Sequence, residues 1–438
     1  MQILYFLVEL IKIPAIVLGL ISMIGLILQQ KSFGDVLTGT FKTILGLLIM
    51  GVGTGALIAA LIPIQNMFQA GFSADTLTTF VTFDEGVVGA VQAANVSEIG
   101  AAIAWTLFFG FVVNLLLARF TPFKYIYLTG HMIWIQAGAF SILFYSFGLS
   151  LFWTVFLASL CLGTYMTLMP ALAQPVMRKI TGTDDIAFGH GQTLLNMVAA
   201  WVGKLIGNED DSAEKMNVPQ GLNFFRDMAM SISLVMVAVA FFAAIVAVVQ
   251  IGIPAFEESI SGGQNWLVFT LLQALGFTAG VLVLLQGVRM LISEIVPAFK
   301  GIAEKAIPGA KPALDCPVIY PFAPNSLIIG MISGTIAQVV AMILLALMHW
   351  PVPLPSMIAA FFASGAAAIF GNATGGRRGA WVGGFLWCFV GWFLISFAYK
   401  FMVFGDLTGL GAVGLGFTIP DAIVPGMIIW GIAKLFGF

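Results

Sequence analysis

Apolar residues fill this chain in long blocks, and the polar positions fall between the blocks. A membrane-spanning helix needs about 20 apolar residues, so uncharged runs can be divided into spans. Residues 125–177 contain no Asp, Glu, Lys or Arg and must hold two spans, broken near Gly148 and Ser150. Residues 316–376 are also uncharged. There Trp350-Pro351-Val352-Pro353-Leu354-Pro355 cannot continue a helix and splits the run into a second pair. With the single runs added, the pattern predicts an all-α polytopic membrane protein of about eleven transmembrane helices. They fall near residues 13–30, 41–62, 99–118, 123–146, 149–170, 230–254, 266–296, 324–348, 354–371, 379–401 and 418–437.

Composition agrees. Of the 438 residues 60% are hydrophobic and only 9% charged, and the mean hydropathy is +1.04, whereas a soluble domain carries roughly a quarter charged residues. A net charge of −2 and the lack of any clustered Lys and Arg face argue against nucleic acid as a partner. Cys161, Cys316 and Cys388 lie far apart without metal-ligand spacing, so neither a metal nor a cofactor is expected. The N-terminus lacks a basic leader and a small-residue cleavage site, so the first apolar stretch is expected to remain, with membrane lipid as its surroundings.

The basic residues set the orientation, because Lys and Arg collect on cytoplasmic connections. Of the 18 Lys and Arg, fifteen fall on one side of the eleven-span arrangement, from Lys31 and Lys42 through Arg377, Arg378 and Lys434. Lys12 and Lys400 fall on the other side, and Arg289 lies inside a span near its cytoplasmic end. The N-terminus is therefore expected outside and the C-terminus in the cytoplasm.

A repeat is also present. Gly46, Gly53, Leu57, Ile58 and Pro63 recur as Gly280, Gly287, Leu291, Ile292 and Pro297, all at an offset of 234. Five crossings separate the copies, which predicts opposite orientations and inverted repeats over approximately 13–170 and 230–401. That construction is common in alternating-access transporters, whose site lies at the midplane between the repeats.

Polar residues inside such a protein are costly and point to function. Between Ile307 and Asn325, Pro308, Gly309, Pro312, Pro317 and Pro324 forbid a continuous helix, leaving broken backbone around Asp315. Asp315 could accept hydrogen bonds from substrate hydroxyls or cap the following helix. Phe188-Gly189-His190-Gly191-Gln192-Thr193 precedes an apolar stretch too short to span: it is either a surface amphipathic helix with an ordinary loop histidine or a re-entrant segment with His190 and Gln192 at its tip. Thr129, Met132, Ile133 and Gln136 share one helical face. Thr76, Asp84 and Glu85 occupy the position related by the repeat to the Asp315 segment and would form a matching half-site. His131 and His349 read as structural residues.

The order of these segments resembles the ascorbate family of phosphotransferase system (PTS) membrane components, enzyme IIC, over nearly the whole chain. The resemblance rests on Ile3-Leu4-Tyr5, Leu128-Thr129-Gly130-His131-Met132 with Gln136-Ala137-Gly138, Gly189-His190, Gln286-Gly287-Val288-Arg289-Met290, Ile307-Pro308-Gly309-Ala310, Leu314-Asp315-Cys316 and Phe322-Ala323-Pro324-Asn325. It implies a homodimer in the bacterial cytoplasmic (inner) membrane, each protomer having interleaved core and scaffold subdomains. By the resemblance, substrate contacts fall on Thr54, Thr76, Gln136, His190 and Asp315. Members of the family carry glutamine directly after the histidine, where this chain has Gly191 and then Gln192. Either Gln192 takes over that contact or the specificity differs from L-ascorbate, with the galactitol branch as the alternative.

PTS transport couples sugar entry to phosphorylation by a cytosolic IIB partner, itself charged by IIA. The longest polar segment, residues 207–227, is far too short to be a fused IIA or IIB domain. No catalytic residue of the chain's own is expected, and its basic cytoplasmic loops would be the docking surface. The rival reading is an ion-coupled secondary transporter of a small polar solute, for which Asp315 with Asp84 or Glu85 would have to supply the ion site.

Overall fold

The computed structural model describes residues 14–71, 78–94, 98–216, 228–356 and 358–437, apart from some side chains within helices. The elements follow in the order α1 (Pro14–Leu28), α2 (Phe33–Gly71), β1 (Thr79–Thr82), α3 (Asp84–Ala94), α4 (Ile99–Phe120), β2 (Tyr125–Tyr127), α5 (Gly130–Ser146), α6 (Leu151–Thr181), β3 (Ala187–Phe188) and α7 (Thr193–Ile206). The second half continues with α8 (Met228–Ile251), α9 (Ile253–Ser259), α10 (Trp266–Ala306), β4 (Lys311–Leu314), a 3-10 segment (Cys316–Phe322) and α11 (Pro324–Leu347). It ends with β5 (Val352–Pro353), a π-helical turn (Ala359–Ser364), α12 (Gly365–Lys400), β6 (Leu415–Gly416) and α13 (Pro420–Leu435).

The described residues contain 7 helices long and apolar enough to cross a membrane: Phe33–Gly71, Ile99–Phe120, Leu151–Thr181, Ile232–Ile251, Trp266–Gly287, Pro324–Leu347 and Ala359–Lys400. The last is divided by Gly376, whose φ of 59° and ψ of −148° lie outside the helical region. At that φ an L side chain is strained, and a Cβ would also strike the carbonyls of Asn208 and Asp211, so the chain doubles back there. Three further predicted stretches form shorter helices, α1, α5 and α13, of 15, 17 and 16 residues. α5 is buried along nearly its whole length, from Met132 through Phe144. An all-round apolar sequence suits a helix enclosed by others.

Helix-breaking residues dictate what lies between the long helices. Backbone at membrane depth must satisfy its own N–H and C=O groups, and non-helical chain is tolerated there only within protein or beside water. Here that need is met by two small sheets of three parallel strands, ordered β5-β1-β6 and β2-β4-β3. They are alike in construction. In each, the central strand follows a long helix, α2 or α10, and the two flanking strands lead into further helical segments. Val352 N–H donates to Thr78 O at 2.8 Å in the first sheet, and Gly189 N–H to Leu314 O at 2.7 Å in the second. Phe80, Ala187, Phe188, Ala313 and Leu415 are fully buried, so these strands are interior.

The repeated sequence falls on α2 and α10, which pack against each other. Close approach explains its glycines. A Cβ at Gly53 would collide with the backbone of Leu284, one at Gly287 with Met50 N, and one at Gly280 with Leu57 N at 2.6 Å.

Candidate functional site

A cavity of about 350 Å³ is lined by both broken segments. The first contributes Thr82, Phe83, Asp84 and Glu85, joined by Thr418 and Ile419 from the connection into α13. The second contributes Asp315, Cys316 and Pro317, joined by His190 and Gln192 from the connection into α7. His131 and Met132 from the start of α5, Leu285 and Arg289 from α10, Phe362 from the π turn and Trp387 from α12 complete much of the wall.

Asp315 stands where β4 ends and Pro317 opens the 3-10 segment. Its Oδ1 accepts a hydrogen bond from Cys316 N–H at 2.7 Å, so it caps that segment. The carboxylate nevertheless stays 41% exposed, with His190 Nε2 at 3.7 Å from Oδ1 and His131 Nδ1 at 3.8 Å from Oδ2. Both readings of this residue, as a cap and as a free acceptor, therefore hold at once. The two imidazoles are much less exposed, at 17% for His131 and 12% for His190.

Two other carboxylates near the cavity, Asp84 and Asp421, are tied to backbone. Asp84 Oδ1 accepts from Thr418 N–H at 2.6 Å and Ile419 N–H at 3.3 Å. Asp421 accepts from Thr193 N–H and Leu194 N–H, each at 2.8 Å, satisfying free amides in the first turn of α7. A helix N-terminus carries partial positive charge, so the anion is doubly favoured there. Several polar atoms of cavity residues have no hydrogen-bond partner among the described residues: Thr82 Oγ1, Thr418 Oγ1, His190 Nδ1, Gln192 Oε1 and Trp387 Nε1. Buried polar groups are normally satisfied, so these atoms mark a wall whose hydrogen bonding is incomplete.

Of the residues expected from sequence, His190, Gln192 and Asp315 come together on the cavity wall. The Asp84 and Glu85 half-site joins them there. Gln136 is fully buried in α5 and is not among the lining residues. Thr54 lies in α2, with its side chain outside the described residues, and Thr76 also lies outside them. His131, read from sequence as structural, instead lines the cavity beside Asp315. Asp421 went unnoticed, although a carboxylate inside a predicted span was the signal that could have found it. Thr418 and Trp387 carried no local signal.

Away from the cavity, charged side chains clamp the ends of the second sheet. Asp184 meets Arg178 Nε at 2.7 Å and Lys311 Nζ at 2.6 Å, which ties the start of β4 to the end of α6. Hydrogen bonds from Arg178, Lys311 and Gln174 hold its carboxyl well below the usual carboxylate range. Arg377 pairs with Asp211, and Lys179 with Glu209, so the loop before α8 is bound to the turn at Gly376 and to α6.

The family described as the PTS system sugar-specific permease component (EIIC-GAT) matches residues 9–422. The chain is also 28% identical over 428 residues to the "Ascorbate-specific PTS system EIIC component" of Mycoplasma pneumoniae, a match covering 88% of this chain. It spans 65% of the length of that relative.

Proposed function

The chain belongs to the EIIC-GAT family of PTS sugar-specific permease components, and on that premise we propose that its cavity binds L-ascorbate or a related sugar acid or polyol and carries it across the bacterial cytoplasmic membrane. A cytosolic IIB partner, recharged by IIA, then phosphorylates the solute. One observation carries the reading: Asp315, an acceptor that stays 41% exposed, shares a cavity wall with His190 and Gln192, whose side chains carry donors as well as acceptors. A polyhydroxylated solute supplies both kinds of group, and a cavity of about 350 Å³ is within the range that small ligands fill.

The inverted-repeat reading accounts for how such a site could face either side. It is supported by the matching construction of the two sheets and by reciprocal contacts at the crossing of α2 and α10. Gly53 packs on Leu284, and adding the repeat offset to Gly53 while subtracting it from Leu284 yields Gly287 on Met50, which is also observed. Contacts that exchange in this way are what a two-fold relation between the copies would produce. Eleven spans with the N-terminus outside, and pairing into a homodimer, belong to the same proposal.

The test is a binding screen of purified protein against L-ascorbate, galactitol and common hexitols. Saturable binding of at least one is expected, lost in His190→Ala. Failure of all of them would overturn the substrate class. The lining carboxylates Asp84, Glu85 and Asp315 favour one rival, an ion-coupled transporter. Liposomes that concentrate the solute from an ion gradient without phosphotransferase components would establish it. Phosphorylated solute appearing only when those components are supplied would exclude it.

A further inference from the structure

His131, His190 and Asp315 reach the cavity from three separate segments: the start of α5, the connection from β3 to α7, and the end of β4. One donor atom from each lies within 4.8 Å of the other two. The histidine-to-carboxylate distances of 3.8 and 3.7 Å are too long for hydrogen bonds. They run to different oxygens, His131 Nδ1 to Oδ2 and His190 Nε2 to Oδ1, so the carboxylate lies between the two imidazoles. Three donors within 4.8 Å of one another need only a small closure to reach the roughly 3.4 Å that separates two donors on a tetrahedral ion with bonds of about 2.1 Å. The imidazole rings are inclined at 63° with centroids 5.8 Å apart, so they do not stack on one another.

We propose that these three side chains form a site for a divalent transition metal, zinc in the first instance, with the fourth coordination position open to the cavity. Two imidazoles and one carboxylate suit Zn²⁺, Co²⁺, Ni²⁺ or Cu²⁺. They do not suit Mg²⁺ or Ca²⁺, which bind through oxygen. Three protein ligands with an open fourth place is the arrangement of zinc sites that admit water or an outside ligand. Here Asp315 accepts one hydrogen bond, from the Cys316 amide, and keeps Oδ2 toward His131. A bound ion would cross-link the three segments and hold the cavity walls at the spacing seen here. The proposal does not depend on which solute is carried.

The experiment uses full-length protein in detergent, with any polyhistidine tag removed and Co²⁺ as a spectroscopic probe. One Co²⁺ per protomer is expected, with the visible bands of a four-coordinate ion, displaced by Zn²⁺. His131→Ala and Asp315→Asn should each weaken binding by more than about 100-fold, the upper end of what losing a mere supporting contact costs. Asn at 315 can still accept from the Cys316 amide, so that variant keeps its local fold, checked by monodisperse elution. Cys316→Ser should leave the bands unchanged, because the thiol is buried and accepts from the Tyr320 hydroxyl at 3.2 Å. Bands that persist in both ligand variants, bands lost only in Cys316→Ser, or no stoichiometric cobalt would each overturn the site.

Discussion

Asp84 and Asp315 follow the central strands of two sheets built alike, Asp84 as the first residue of α3 and Asp315 just before the 3-10 segment. Asp84 is 8% exposed and accepts from two backbone amides of the connection into α13. Asp315 sits beside the corresponding connection into α7, yet it takes only the amide next to it and turns its remaining capacity toward two histidines. Thr418 stands two residues after β6, and His190 two residues after β3. One half of the cavity is thus closed by a carboxylate already satisfied, while the other presents a carboxylate with acceptor capacity to spare. Buried anions remain in place when hydrogen-bonded, and exposed ones remain available to a ligand. Under the proposed function, the satisfied carboxylate supports the first half and the open one serves recognition in the second.

The largest effect is expected where support is removed altogether. Asp421→Ala strands the Thr193 and Leu194 amides, and each hydrogen bond to a charged group is worth about 1.5–3 kcal/mol. Thermal unfolding in detergent should drop sharply and the yield of monodisperse protein should fall. Wild-type stability would show that this cap supports nothing.

Next comes the pair of carboxylates themselves. Asp315→Asn should leave the melting temperature within error of wild type while weakening solute binding by more than about tenfold, the equivalent of a single charged hydrogen bond. Asp84→Asn should do the reverse, lowering stability by about 1–2 kcal/mol while retaining measurable affinity. If calorimetry and thermal melts gave the two variants the same profile, the contrast between the halves would be wrong.

A smaller effect tests the likeness of the halves. Gly53→Ala and Gly287→Ala each push a methyl group into the backbone of the facing helix, at a typical cost of about 1–3 kcal/mol. Reciprocal contacts predict similar losses for the two, and a difference of more than about threefold in unfolding cost would break the two-fold relation. The smallest effect is electrostatic. The Asp184 carboxyl is held below its ordinary value of 3.8, so its pairing stabilises the fold at neutral pH. That contribution is lost as pH falls through the ordinary carboxylate range and below. Lys311→Met should reduce the acid sensitivity of the melting temperature slightly, and an unchanged pH profile would remove the clamp on β4.

Much of this was legible in the chain. Clustered prolines around Asp315, and between Trp350 and Pro355, mark broken backbone because each removes an amide donor and crowds the preceding turn, so several in succession cannot continue a helix. The repeat on α2 and α10 was visible because close helix approach demands glycine at fixed positions. His190, Gln192 and Asp315 were found because polar groups in an apolar chain are rare. Helical spacing grouped Gln136 with Thr129, Met132 and Ile133, and the family resemblance put it among the substrate contacts, yet α5 is enclosed on all sides and Gln136 is not on the cavity wall. His131 was passed over for the opposite reason, since a lone histidine at a helix start has no local signature of a partner.

The membrane class, the stretches that become helices and the places where helices must break can all be read along the chain. These follow from solvent and backbone chemistry acting over a few residues. Which carboxylate is satisfied and which is left open depends instead on how distant segments pack together. The amides that occupy Asp84 belong to Thr418 and Ile419, 334 and 335 positions along the chain, and no local pattern encodes so distant a hydrogen bond.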